Sequence, residues 1–128
     1  MNKFLDLFGL RRRREIRLSA EWFIDVQVKS TDRYVGFFSR DISPSGLRLH
    51  GRSSDDFSRL LDDNGRAGMR LRVPGSGSPL NLEAQLRWGT SEANGFLTGW
   101  LFTKIDSTSQ KALRAYIDAH PQDHLKAD

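Results

Sequence analysis

Two short clusters in this sequence carry the side chains best suited to chemistry. The first is Arg13-x-x-x-Arg17, and the second is Asp41-Ile42-Ser43-Pro44-Ser45-Gly46. Arginine presents a planar, permanently charged fork that pairs with phosphate oxygens, grips the O6/N7 edge of guanine, or stacks on a base. Aspartate accepts hydrogen bonds of the kind guanine offers from N1–H and N2–H, and a serine hydroxyl both donates and accepts. Gly46 admits a positive φ or a close backbone approach. An anion carrying guanine bases satisfies both clusters at once, whereas bare phosphate would be repelled by Asp41.

Charge placement points the same way. Residues 11–17 hold five arginines and one glutamate, and so carry the whole formal net charge of +4. A protein that tracks a nucleic-acid backbone spreads its basic residues over a face. Here the positive charge sits in one arm, suited to a compact anion.

The arm must be brought to the turn by the elements between them. Trp22, Ile24, Val26 and Val28 alternate with Phe23, Asp25, Gln27 and Lys29, the period of a half-buried strand. A second strand, Tyr34 to Ile42, returns after a turn at residues 31–33, so a hairpin sets Asp41 and Ser43 beside Arg13 and Arg17. A third strand holds Leu47 and Leu49. Ser53-Ser54-Asp55-Asp56 opens a short helix carrying Phe57, Leu60 and Leu61 and stopping near Asn64-Gly65. Strands at Met69 to Val73 and Leu80 to Trp88 flank a Pro/Gly/Ser loop, and the last strand runs from Phe96 to Ile105. Ser107-x-x-Gln110 reads as a capping box for a helix over about 107–119, with Leu113, Tyr116 and Ile117 on one stripe.

Six short strands with tight turns predict antiparallel pairing in a six-stranded β-barrel, with a short inserted helix and a C-terminal α-helix. The division is an amphipathic segment 1–10, one domain 11–119 with its barrel over about 20–105, and a frayed tail 120–128. At 128 residues the chain suits a single core, and the absence of cysteine removes disulfides and thiolate chemistry. No secretory signal or spanning segment is evident, which favours a cytoplasmic location.

The arginine pair, the Asp-x-Ser-x-x-Gly turn and the distance between them resemble the PilZ family of cyclic di-guanylate (c-di-GMP) receptors, over roughly residues 10 to 119. The resemblance implies that Arg13 and Arg17 hold guanine and phosphate, while Asp41, Ser43 and Gly46 shape the pocket for the other guanine edge. It implies that Arg12, just ahead of the motif, accompanies two intercalated ligand molecules, and that Trp88 lies against the ligand. On alternation alone, Trp88 is a core or rim residue. Phe4–Leu10 lies outside the family pattern, and Arg11 and Arg14 are surplus to it.

No catalyst is legible: His50, His120 and His124 lack metal-ligand spacing, and no nucleophile elbow surrounds Ser43. The expected protein is therefore a receptor or adaptor, not an enzyme, with no cofactor beyond its ligand. Five arginines within seven residues repel one another, so ligand binding is expected to order the arm and signal to an effector protein. Phe4–Leu10 is of the kind that packs on the barrel, docks a partner or touches a membrane surface peripherally. The competing class is a small barrel that binds RNA or single-stranded DNA, for which Phe37, Phe38, Trp88, Trp100 and Phe102 would supply stacking faces. Asp41 beside the arginines counts against such a track, and no nucleic acid is expected.

Overall fold

The computed structural model describes residues 16–125. Its strands follow the side-chain alternation. A two-residue β1 (Leu18–Ser19) precedes β2 (Phe23–Gln27), in which Ile24 and Val26 are fully buried while Phe23 faces solvent. β3 (Tyr34–Ser43), β4 (Gly46–Gly51), β5 (Arg66–Leu71), β6 (Leu80–Glu92) and β7 (Gly95–Lys104) follow, with all pairings antiparallel. The order β3-β2-β5-β6-β7-β4 closes on itself through β3–β4, forming a six-stranded barrel. β1 pairs on β3 outside that ring and is a seventh strand that the sequence pattern did not show. It is too short for alternation to reveal.

The barrel interior holds Ile24, Val26, Ile42, Leu47, Leu49, Met69, Leu71 and Trp100. Each large side chain contributes roughly 1.5–3 kcal/mol relative to exposure. The inserted helix α1 is one turn, Asp55–Ser58, shorter than expected. It ends early because the Asp62 carboxylate accepts hydrogen bonds from Asn64 N at 2.8 Å and Arg66 N at 2.9 Å, building a separate turn with Gly65 at φ 74°. Phe57 nevertheless enters the core and stacks on Phe37 at 4.6 Å between ring centroids.

The C-terminal helix α2, Ser107–Asp118, buries Leu113 and Ile117 against the core, and Tyr116 meets Trp22 edge-on. Its cap is Asp106, whose carboxylate accepts from Ser109 N at 2.7 Å, one residue ahead of the expected Ser107 box. The tail is not frayed through Leu125. After a 3-10 turn at Pro121–Asp123, His124 bridges to Leu18, and Leu125 N donates to Arg17 O at 2.8 Å.

Candidate ligand-binding site

A two-residue turn, Pro44–Ser45, joins β3 to β4 and pairs Ser43 with Gly46, Ile42 with Leu47 and Asp41 with Arg48. Strict alternation along β3 would send Asp41 inward with Phe37 and Ser39. A bulge between Ser39 and Asp41 adds Arg40 and reverses the phase. Ile42 then enters the core and Asp41 shares the outer face with Arg48. A second bulge, between Leu86 and Trp88, adds Arg87 on β6 and turns Trp88 outward in the same way. Cross-strand pairing thereby aligns Ser19, Asp41, Arg48, Gly99 and Trp88 in one row over β1, β3, β4, β7 and β6.

At the row's centre the Asp41 side chain is 0% exposed. Arg17 Nε and Nη2 donate to its Oδ1 at 2.9 and 2.7 Å. Arg48 Nε donates to Oδ2 at 2.7 Å, and Arg48 Nη2 donates to the same oxygen. The expected meeting of Arg17 with Asp41 is present. Both carboxylate oxygens are taken by arginines, however, so guanine cannot share Asp41 without releasing one of them. Arg12 and Arg13 lie outside the described residues.

Ser43 is also fully buried. Its hydroxyl accepts from Gly46 N at 3.2 Å and Ser45 N at 3.4 Å, and donates to Gly46 O at 3.3 Å. It therefore secures the turn and the Asp41–Arg48 register. Gly46 is not among the positive-φ residues; a Cβ there would strike the Trp100 carbonyl oxygen. Of the two reasons foreseen for this glycine, close backbone approach is the one that applies. Trp88 is 43% exposed, not a core residue, and its indole lies across Gly99, where a side chain would collide with it.

Sequence reading missed Arg48, although the signal was present. A two-residue turn fixes hairpin register, so Asp41 must face Arg48. It also missed a groove of about 800 Å³ beside the row, lined by Ser19, Glu21, Phe38, Arg40, His50 and Glu92 among others. Arg40 spans to Glu92 with two hydrogen bonds, at 2.7 and 2.8 Å. That pairing holds the Glu92 carboxyl below its ordinary value against the opposing effect of desolvation, and pushes Arg40 further into its charged range.

The architecture is that of a small closed barrel whose outer face carries a shared-carboxylate arginine pair next to an open aromatic. The PilZ domain profile matches residues 11–119, and the chain belongs to the PilZ domain family. Solved structures share the fold at low identity. The Bacillus subtilis inhibitor of motility (MotI/DgrA) superposes with a TM-score of 0.69 at 18% identity, over 87% of this chain and 51% of that one. The PilZ domain of YcgR from Escherichia coli, solved with c-di-GMP, gives 0.63 at 17% identity, over 87% and 92%. The Borreliella burgdorferi PlzA protein in complex with c-di-GMP gives 0.60 at 15%, over 94% and 56%. The chain thus spans about half the length of MotI/DgrA and PlzA. No curated protein sequence matches it.

Proposed function

We propose that this chain is a cyclic di-guanylate receptor without catalytic activity. The observation that carries the reading is the Arg17–Asp41–Arg48 cluster, whose two arginine side chains are about one-third exposed over a fully buried carboxylate. Family membership and two similar folds solved with c-di-GMP support it. The ligand is clamped between the arm, through Arg12, Arg13 and Arg17, and the face prepared by Asp41, Ser43 and Gly46, with Trp88 as its apolar wall. Arg12 favours two intercalated ligand molecules.

Clamping orders the arm and changes the surface that residues 1–10 offer to an effector protein in the cytoplasm. Such segment ordering by charge pairing is a recognised kind of switch. Two contacts support this reading over a nucleic-acid track. Phe37 stacks on Phe57 inside the core, and the buried Trp100 indole donates to Thr98 Oγ1, so neither offers a face to a base.

Calorimetric titration at moderate salt with c-di-GMP, GTP and an oligonucleotide tests the reading. Selective c-di-GMP binding is expected, with stoichiometry of one or two read from the same curve. Tightest binding to the oligonucleotide, weakening steeply with salt and indifferent to base, would establish the nucleic-acid alternative instead. Amide exchange in residues 8–17 should slow when ligand is added; unchanged exchange would reject the ordering step even if binding were real.

A further inference from the structure

We propose that Arg48 is a further ligand-gripping arginine, and that Asp41 is the positioning residue holding Arg17 and Arg48 in register. This assignment rests on the receptor reading above.

An ionised carboxylate has about four acceptor positions. Arg17 and Arg48 each approach Asp41 side-on, through Nε and Nη2, and together they fill those positions. The Asp41 side chain is fully buried, so a guanine edge would reach it only by displacing one of the two arginines.

The arginines are differently placed. A guanidinium has five N–H donors, and side-on pairing uses two of them. The outer edge of each, formed by Nη1 and the second Nη2 proton, has no partner among the described residues. Their side chains are 35% and 31% exposed, so these edges can be reached from solvent. One carboxylate between two guanidinium groups leaves one positive charge uncompensated, and an anion can offset it. The free edge has the spacing that grips phosphate oxygens or guanine O6/N7 with two parallel bonds.

Register supplies the second argument. Arg48 is paired with Gly99, and Gly99 with Trp88. Strands lie about 4.8 Å apart, which puts the backbones of Arg48 and Trp88 roughly 10 Å from each other on one face. A base stacked on the indole over Gly99 therefore lies toward the Arg48 fork. An ion pair serving only stability would have no need of that alignment.

The test is calorimetric titration of the full chain with c-di-GMP for the wild type, Arg48→Lys, Asp41→Asn and the double variant, with melting of each ligand-free protein. Arg48→Lys keeps a positive charge for Asp41 but loses the planar fork. It should bind at least about tenfold more weakly while melting close to the wild type. A folded Arg48→Lys protein that binds within about twofold of the wild type overturns the assignment. If Asp41 acts through the arginines, the two substitutions should be strongly non-additive in affinity. Additive losses would mean that Asp41 meets the ligand on its own. A wild-type protein that does not bind c-di-GMP rejects the receptor reading itself, and Arg48's role with it.

Discussion

In the proposed receptor, Asp41 is the residue on which stability and ligand chemistry meet. A buried carboxylate is costly unless its charge is compensated, and here two partly exposed arginines share that task. Arg17→Ala leaves Asp41 paired with Arg48, so the ligand-free protein should lose only about 1 kcal/mol in denaturant titration. Its affinity for c-di-GMP should nevertheless fall by at least about tenfold, because a fork to the ligand is gone. Equal affinity in this variant would remove Arg17 from the site. The Arg40–Glu92 pair carries a pH dependence of its own. The folded value of Glu92 is depressed, chiefly by the hydrogen bond from Arg40. Its contribution is therefore present above the ordinary glutamate range and disappears as pH falls through the lowered value. Glu92→Gln should be less stable than the wild type at neutral pH, and the difference should close in acid. A gap that stays constant on acidification would show that Glu92 contributes through packing rather than charge.

At the scale of elements, the two bulges decide what faces outward. Gly99 gives the second one its use, since only a glycine beneath Trp88 lets the indole lie flat on β7. Gly99→Ala would press a methyl into the indole, which is a movable side chain, so the barrel should fold with Trp88 displaced. Weaker c-di-GMP binding and altered tryptophan emission are expected, and unchanged affinity would take Trp88 out of the ligand wall. The strands themselves were legible because Ile24, Val26, Leu47 and Leu49 alternate cleanly, and the barrel followed from tight turns between them. The meeting of Arg17 with Asp41 was legible too, from hairpin geometry. The orientation of Trp88 was not, because Arg87 breaks the phase and a bulge leaves no mark in composition. The pairing of Asp41 with Arg48 was written in the register of the two-residue turn and went unread, while the filling of both carboxylate oxygens emerges only from side-chain geometry. The α2 cap was misplaced by one residue because Asp106 and Ser107 both suit an N-cap, and only geometry separates them.

For the whole molecule, the notable fact is that the two ends of the described chain are tied to each other at the site. Arg17 and Leu18 are held on one side by β3, where β1 makes two residue pairs. On the other side lie the Leu125–Arg17 hydrogen bond and the Leu18–His124 bridge. His120 stacks on Tyr116 at 4.0 Å and its Nδ1 meets the Tyr116 carbonyl at 2.8 Å, while His124 Nε2 meets Ile117 O at 2.6 Å, fastening that segment to α2. The segment after α2 thus braces the strand that delivers Arg17 to Asp41. A chain ending at residue 119 keeps the closed ring and α2, so it should still fold cooperatively. Its β1, however, would depend on two residue pairs alone. Amide exchange at Leu18 and Ser19 should accelerate, and c-di-GMP affinity should drop several-fold, about 1 kcal/mol, because part of the binding energy must then order Arg17. The loss should appear mainly as faster dissociation, since the arginines that attract the anion are all retained. If the shortened chain binds as tightly as the full one, with β1 equally protected, the C-terminal brace has no part in presenting Arg17.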